Sequence, residues 1–373
     1  MAKGALGSVV ALAIGPAHSA EATAESPLFK PFAFGAIEIR NRFVMAPLTR
    51  GRAGATRTAN ALMAEYYGQR ATAGMIVTEA TAISPMGYGW LHSPGIYTPE
   101  HVEGWKGVTS AVRARGGRIV LQLWHMGRVS HPDFLNGEKP VAPSAIAVAD
   151  TTYTPNGKKP YVTPRELTIS EIAATVRDYA QATVRAREAG FDGVEIHAAN
   201  GYLIDQFIRD SANRRTDRYG GSASNRLRFL LEVTEAVTKA WSPDRTGVRL
   251  SPMNPYNDMH DSDAPGTFTE AARALDEFGL AYLHVVEAPP ARVAASMRGA
   301  FKNALILNEN YDASSGAAAL ASGAADAIAY GRPFLANPDL VERFRRNERL
   351  NAPDSKTFYT EGARGYTDYP ALG

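Results

Sequence analysis

The sequence contains no cysteine among its 373 residues, which excludes disulfides, thiolate catalysis, cysteine-bound zinc and iron–sulfur clusters. The formal net charge is only +2, so the composition does not indicate a nucleic-acid surface. No apolar run approaches the roughly 18 residues of a membrane-spanning helix, and we expect no membrane partner. We also expect no metal site, because His125 and His131 lack a third ligand at suitable spacing. A loop or surface role is expected for both histidines.

The N-terminal segment differs from the rest of the chain. Lys3 precedes an apolar stretch at 5–14, and small residues follow around 20–22. This pattern is typical of a weak secretory signal peptide, and a disordered tail or an early start codon explains it equally well. We assign 1–26 as a tail or signal-like segment and expect one domain over 27–373. The expected location is the cytoplasm, or the periplasm if the segment is a signal peptide.

From residue 27 onward, short apolar runs alternate with helical patterns. The predicted strands are 43–48, 75–80, 118–123, 193–197, 247–250, 282–286, 305–308 and 327–330. The predicted helices are 61–73, 99–115, 170–189, 225–240, 268–278, 292–301, 313–321 and 337–346. Near-continuous apolar strands are typical of a parallel sheet buried on both faces, and eight of them predict an α/β fold of the (β/α)₈ TIM-barrel class. A doubly wound sheet is the alternative, but no G-x-G-x-x-G follows the first strand. The long interval 130–168 predicts a lid or hairpin after the third strand.

The end of the fourth strand carries three polar side chains within six residues. TIM barrels build their active sites at the carboxyl ends of the strands. His197 and Asn200 can both donate to one oxygen, and a neutral tyrosine such as Tyr202 can act as a general acid. A satisfied polar cluster that caps the strand is the alternative explanation.

Other strand ends indicate a bound anion. Arg249 ends the fifth strand, where a buried charge requires a partner. That partner is either a carboxylate such as Glu195 or a bound group that becomes anionic during turnover, such as reduced flavin, whose edge Gln122 could also contact. After the eighth strand, Gly331 and Arg332 suit a phosphate, although a simple turn explains the pair as well.

The chain resembles the Old Yellow Enzyme family of flavoprotein ene-reductases, close to the bacterial N-ethylmaleimide reductase type. The resemblance covers residues 28–373. The motifs that carry it are NRFVMAPLTR at 41–50, AEYY at 64–67, QLWHMGR at 122–128, GFDGVEIH at 190–197, RTDRYGG at 215–221, ANPDL at 336–340 and GYTDYP at 365–370.

The resemblance implies non-covalent FMN at the barrel mouth and NADPH or NADH as the reductant. The implied flavin-ring contacts are Pro47, Thr49, Ala80, Gln122 and Arg249, and the implied phosphate contacts are Gly331 and Arg332. His197 and Asn200 would bind a carbonyl or nitro oxygen of the substrate, and Tyr202 would be the proton donor. The substrate-pocket wall would include Trp124, Trp90 and Tyr359.

The turn after the seventh strand departs from the glycine-rich turn of many relatives. Asn310 tolerates left-handed backbone angles better than most residues, so its amide could still reach the phosphate. Glu309 would repel a phosphate unless it points to solvent. Asn310 is therefore predicted as a cofactor-binding residue.

The resulting prediction is an NAD(P)H-dependent flavin oxidoreductase that reduces C=C bonds activated by carbonyl or nitro groups. Hydride would go to the β-carbon and a proton from Tyr202 to the α-carbon. The expected partners are small α,β-unsaturated molecules, with the chain as a monomer or homo-oligomer. One alternative is another phosphate-binding barrel enzyme, an isomerase or aldolase, for which Glu79 is an available strand-end carboxylate. The other is a non-catalytic flavin-binding protein.

Overall fold

A closed parallel barrel forms the centre of the computed structural model, which describes residues 26–373. Its strands are β1 Phe43–Met45, β2 Met75–Val77, β3 Ile119–Trp124, β4 Gly193–His197, β5 Thr246–Leu250, β6 Tyr282–Val286, β7 Ala304–Asn308 and β8 Ala327–Tyr330. Neighbouring strands pair in parallel, and β8 returns to β1 where Ile328 lies opposite Phe43. The expected (β/α)₈ barrel is confirmed. The predicted tail or signal segment lies outside the described residues, apart from Ser26 at its end.

All residues of the eight strands are buried, which explains why their sequences read as continuous apolar runs. Side chains on one face fill the barrel and those on the other pack against helices. Two predicted strands end early, since β1 stops before Ala46 and β2 stops at Val77. Pro47 has no N–H to donate to the hydrogen bonds of the sheet, which explains the early end of β1. The residues that follow β1 and β2 lie at the mouth of the barrel.

Ten helices occur in the described residues. They are α1 Ala61–Gln69, α2 Pro99–Arg113, α3 Ile169–Glu188, α4 Leu203–Ile208, α5 Ala223–Ala240, α6 Ala264–Asp276, α7 Arg292–Ala300, α8 Ala313–Ala321, α9 Arg332–Ala336 and α10 Leu340–Arg346. The caps follow the local sequence. Thr168 and Glu171 form a capping box at the start of α3, and Gly190 follows its end with a positive φ of 83°. None of these helices combines the length and the apolar character needed to cross a bilayer.

The predicted helix over 337–346 is wrong in its first turn. Helix α10 begins only at Leu340, and a separate short helix, α9, ends at Ala336. Asn337 between them has φ −130° and ψ 93°, because a residue that precedes proline, here Pro338, is sterically excluded from the helical region.

Two hairpins lie outside the barrel. The excursion after β3 contains antiparallel strands Thr151–Thr154 and Gly157–Pro160, so the expected hairpin in 130–168 is present. A second hairpin, Phe32–Phe34 with Ile37–Ile39, precedes β1 and was not predicted. Its Phe34 ring lies 5.4 Å from the ring of Tyr282 in β6, so this hairpin packs against the barrel. The carboxyl ends of the strands remain available for a site.

Candidate active site

A cavity of about 620 Å³ opens at the carboxyl ends of the barrel strands. It is bounded by residues at the strand ends, by the loops that follow them and by the C-terminal segment. The predicted site residues that line it are Pro47, Thr49, Ala80, Trp90, Gln122, His197, Asn200, Tyr202, Arg249, Asn310, Gly331, Arg332 and Tyr359. Parallel strands place their ends at one edge of the barrel, which brings together residues that lie up to 285 positions apart in the sequence (Pro47 to Arg332), and the C-terminal segment adds Tyr359.

His197 ends β4 and is only 4% exposed. Burial, helped by the positive charge of Arg249, lowers the pKa of His197 to about 3. The ring is therefore neutral at pH 7, with one N–H to donate and one lone pair. Its Nδ1 has no hydrogen-bond partner within residues 26–373. A neutral imidazole at the cavity wall can hydrogen-bond a substrate oxygen without adding a charge.

The chain reverses sharply after β4 and thereby returns two more polar groups to the cavity. Asn200 has a φ of 58° and Gly201 a φ of 75°, and asparagine tolerates this left-handed region better than most residues. A Cβ on Gly201 would lie 2.7 Å from Cβ of Asn257. The next residue, Tyr202, is the N-cap of α4. His197, Asn200 and Tyr202 consequently line one wall.

Tyr202 is held as a neutral phenol. Its ring centroid lies 4.9 Å from that of His197 and 5.0 Å from that of Trp124, in edge-to-face contacts. Burial raises the pKa of Tyr202 well above its usual value of 10. The hydroxyl therefore keeps its proton at physiological pH and can donate it to a reacting carbon.

Arg249 carries the buried positive charge of the site. Burial lowers the pKa of Arg249 to about 10, so the guanidinium remains charged at pH 7. Its Nη2 donates to Oδ1 of Asn308 at 2.8 Å, and its Nη1 contacts the ring of His284. The Nε atom has no partner in the described chain.

Within residues 26–373, the buried anion Glu195 is linked to Arg249 through His284 and makes no direct salt bridge with it. Glu195 Oε2 lies 2.8 Å from Nδ1 of His284, and Gln122 Nε2 donates to Glu195 Oε1 at 2.8 Å. Burial raises the pKa of Glu195, but the His284 ring and the Arg249 charge outweigh it, and the pKa is lowered. Burial also lowers the pKa of His284 to about 4. An ionised Glu195, a neutral His284 and a charged Arg249 are thus hydrogen-bonded in series. The direct Glu195–Arg249 salt bridge that the sequence suggested is not formed, because the His284 ring lies between the two groups.

These residues fit a planar group with acceptor atoms along its edge, as the pyrimidine end of a flavin has. The unpartnered N–H of Arg249 and the remaining hydrogen-bonding capacity of Gln122 lie in the same wall. Ala80 and Pro47 add small apolar surface. At another part of the rim, the exposed Arg332 supplies a second cation. The donor set therefore suits a ring with a phosphate tail.

The turn after β7 has the backbone form expected of a glycine-rich turn. Asn310 has a φ of 56° and the preceding Glu309 a φ of 108°. Both residues are exposed and line the cavity, and Tyr311 follows them as a buried wall residue. The left-handed conformation predicted for Asn310 is thus present, and it extends to Glu309.

The C-terminal segment supplies one side of the cavity mouth. The rings of Trp90 and Tyr359 lie 5.2 Å apart, and Tyr359 is 59% exposed. Two buried arginines hold the backbone beside them, since Arg50 Nε and Arg52 Nη1 donate to the Phe358 carbonyl at 3.0 and 2.7 Å. This segment closes the wall that the barrel strands leave open.

Two sequence expectations need correction. Trp124 does not line the cavity, because it is fully buried behind Tyr202. Glu79 points away from the cavity and accepts hydrogen bonds from the amides of Arg50 and Gly51, so it is not an available strand-end acid. His125 and His131 lie in a loop, as expected, and both are buried there.

Asn254 and Tyr256, which follow β5 and line the cavity, were not predicted as site residues, and neither was His284, which contacts Arg249. Asn254 and Tyr256 were findable, because polar and aromatic residues follow β5 just as they follow β4. His284 is paired with Arg249 in the strand register, so alternation along β6 points it inward as well.

Comparisons with known proteins cover nearly the whole chain. A family model described as the NADH:flavin oxidoreductase / NADH oxidase family matches residues 27–351. The chain is 44% identical to 12-oxophytodienoate reductase 7 of Oryza sativa subsp. japonica, over 94% of this chain and 95% of that protein. It is also 44% identical to a probable flavin mononucleotide-dependent alkene reductase of Leishmania infantum, over 92% and 97% of the two chains.

Solved structures give the same result. A structure of morphinone reductase in complex with tetrahydroNAD superposes with a TM-score of 0.90 at 48% identity, over 93% of this chain and 98% of that one. An old yellow enzyme homologue from Zymomonas mobilis also gives a TM-score of 0.90, at 46% identity over 92% and 99%. Both likenesses extend over the barrel as a whole.

Proposed function

The chain belongs to the NADH:flavin oxidoreductase / NADH oxidase family, and on this basis we propose that it is an FMN-dependent ene-reductase. Its substrates are small molecules whose C=C bond is activated by a carbonyl or nitro group. The chemistry that FMN supplies when bound is hydride transfer, from NADPH or NADH to the β-carbon of the alkene. The observation that carries the proposal is the wall formed by a neutral His197, Asn200 and a protonated Tyr202.

His197 and Asn200 bind the activating oxygen. Each can donate one hydrogen bond to it, and together they draw electron density from the conjugated alkene toward the oxygen. The β-carbon thereby becomes more electrophilic. Because His197 is neutral, this polarisation requires no proton transfer from the imidazole.

Tyr202 supplies the proton that completes the reduction. Its raised pKa keeps the phenol protonated, and its edge-to-face contacts with His197 and Trp124 fix the ring. The phenol proton passes to the α-carbon, and solvent reprotonates the phenolate. A single residue next to the oxygen-binding pair thus acts as the general acid.

The cofactor is held by two groups of residues. Pro47, Thr49, Ala80, Gln122 and Arg249 line the cavity and would hold the ring of FMN, where the cation of Arg249 would oppose negative charge. Gly331, Arg332 and the backbone at Asn310 would hold the phosphate, with Arg332 as the cation. Trp90 and Tyr359 form the wall against which the substrate lies.

The reductant is NADPH or NADH. The cytoplasm is the proposed location because NADPH and NADH are held there. The active unit is a monomer or a homo-oligomer.

Replacing Tyr202 by phenylalanine separates the two half-reactions. We expect alkene reduction to slow by about 10²–10⁴-fold, the usual contribution of a general acid, while flavin reduction by NADPH stays nearly unchanged. Stopped-flow absorbance of each half-reaction with 2-cyclohexenone as the oxidant measures both rates. Equal losses in the two half-reactions would remove Tyr202 from the proton-donor role.

Replacing His197 by alanine tests the oxygen-binding pair. Phenols should bind at least tenfold more weakly, because one hydrogen bond to the ligand oxygen is lost, and tenfold corresponds to about 1.4 kcal/mol. Titration of the long-wavelength charge-transfer band of the phenol complex reports the affinity. An unchanged band at the same phenol concentrations would contradict the assignment.

A further inference from the structure

The amide of Asn200 has neighbours that fix its orientation. The two ends of an amide have the same shape, so the hydrogen bonds around it decide which end faces the ligand. This choice matters for catalysis, because the Nδ2 end donates to a substrate oxygen and the Oδ1 end repels it.

Asn254, in the loop after β5, is itself fixed by a backbone group. The Tyr256 N–H lies 3.0 Å from Oδ1 of Asn254. A backbone N–H can only donate, so the end of Asn254 that faces it must be the oxygen. The Nδ2 end of Asn254 is then turned the other way, toward Asn200.

Asn254 Nδ2 lies 2.9 Å from Oδ1 of Asn200 and donates to it. The oxygen of Asn200 is thereby engaged, and its Nδ2 makes no hydrogen bond within residues 26–373. Asn200 lines the cavity, so these free N–H groups are available to a ligand there.

The backbone of Asn200 leaves little other freedom. Its N–H donates to Ser251 Oγ at 2.7 Å, and its carbonyl accepts from Asn257 Nδ2 at 2.7 Å. With the left-handed backbone held at both ends, rotation of the side-chain amide is the remaining variable. Asn254 controls it.

We propose that Asn254 is a positioning residue that makes Asn200 a hydrogen-bond donor. The bonds run in one direction, from the Tyr256 amide through Asn254 to Asn200 and on to the ligand. The site therefore selects ligands that present an acceptor oxygen, such as a carbonyl, nitro or phenolate group. This inference rests on the proposed oxygen-binding role of Asn200.

Replacing Asn254 by aspartate reverses the direction of this chain. The carboxylate still accepts from the Tyr256 amide, but it can no longer donate to Asn200, which will turn its Nδ2 toward the new anion. Its Oδ1 then faces the ligand oxygen.

We expect phenol binding to weaken by more than tenfold in the FMN-loaded Asn254→Asp enzyme. The loss should exceed that of Asn200→Ala, where no acceptor opposes the ligand. Asn254→Ala should weaken it by only about 2–3-fold, since the amide is freed rather than reversed.

A double variant separates reversal of the amide from the added charge. In the Asn200→Ala background there is no amide to turn, so Asn254→Asp should add little further loss. Met253→Asp is the matched control, because it places the same charge on the exposed neighbour and should leave phenol binding unchanged. FMN absorbance confirms that each variant is loaded, and the phenol charge-transfer titration gives the affinity independently of turnover.

The outcomes distinguish this inference from the proposed function. If Asn200→Ala weakens phenol binding but Asn254→Asp does not, Asn254 has no positioning role and the oxygen-binding pair stands. If Asn254→Asp costs the same with and without the Asn200 amide, the charge alone is responsible and the inference is overturned. If neither single variant changes the affinity, the proposed role of Asn200 itself fails.

Discussion

Single residues in this site act through the charges of their neighbours. Arg249 is buried, yet its negative partner, Glu195, contacts it only through the neutral ring of His284. Such an arrangement leaves the guanidinium less compensated than a direct ion pair would, because the two charges are farther apart. More of its field is then available to a bound group in the cavity.

Replacing Glu195 by glutamine should therefore make a bound flavin easier to reduce. The variant keeps the size of the side chain but removes the charge that offsets Arg249, so the anionic reduced ring is stabilised. Its amide oxygen can accept only one of the two hydrogen bonds that Glu195 accepts from Gln122 and His284. A tenfold shift in the equilibrium corresponds to about 30 mV for a two-electron couple, and we expect a rise of that order. Spectroelectrochemical titration of the FMN-loaded protein measures it. Glu65→Gln, the same change at an exposed position of α1, should leave the potential unaltered, and a lower potential in Glu195→Gln would refute the argument.

The site residues that could be predicted from the sequence are those at the ends of strands. His197, Asn200 and Arg249 follow apolar runs directly, and the barrel rule brings strand ends together. Trp124 was misplaced because the last residue of a strand can face either the cavity or the layer of helices. The contact of Asn254 with Asn200 could not be predicted, because it depends on the path of an irregular loop, which includes positive φ values at Asn257 and Asp258. No periodic pattern encodes such a path.

At the scale of elements, periodicity predicted which segments are strands and which are helices, but several predicted ends were wrong. The first helix, for example, was predicted over 61–73 and ends at Gln69. The continuous apolar runs predicted all eight barrel strands. Helix α10 was predicted to begin at residue 337 but begins at Leu340, although Pro338 already indicated a break. The close packing of β5 against β6 depends on one pair of residues, which the apolar pattern of either strand alone does not reveal. Gly247 lies opposite Tyr282, and a Cβ at 247 would lie 2.2 Å from the tyrosine ring.

Replacing Gly247 by alanine should destabilise the barrel. The added methyl group overlaps a buried ring that is packed on all sides, and such overpacking costs about 1–3 kcal/mol. Gly107 in α2 is the matched site, because it is exposed and a Cβ added there would meet no atom within 4 Å. Gly107→Ala should stabilise the helix by about 0.5–1 kcal/mol. Urea unfolding followed by circular dichroism compares the two, and a Gly247→Ala protein as stable as the parent would show that the strands can separate freely.

The whole molecule buries several imidazoles in their neutral form. Burial lowers the pKa of His125 and of His197 to about 3, and that of His284 to about 4. An unfolded histidine has a pKa of about 6.5, so between these values the unfolded chain binds more protons than the folded one. The contribution of these histidines to stability is therefore fully present above pH 6.5 and falls as the pH decreases toward the folded-state values. Each such histidine contributes a slope of about 1.4 kcal/mol per pH unit within this window.

His125 allows this linkage to be tested away from the proposed catalytic groups. Its Nδ1 accepts the Gly127 N–H at 3.1 Å, and the Oδ1 of an asparagine can accept the same bond. His125→Asn will lower stability by some constant amount, because a smaller side chain fills the space less well, but it removes one titrating group. Between pH 5.5 and 4.5 the unfolding free energy of the variant should thus fall less steeply than that of the parent, by about 1.4 kcal/mol per pH unit. Urea midpoints and slopes of the FMN-free proteins at each pH give the comparison, and parallel pH dependences would mean that His125 is already protonated in the folded barrel.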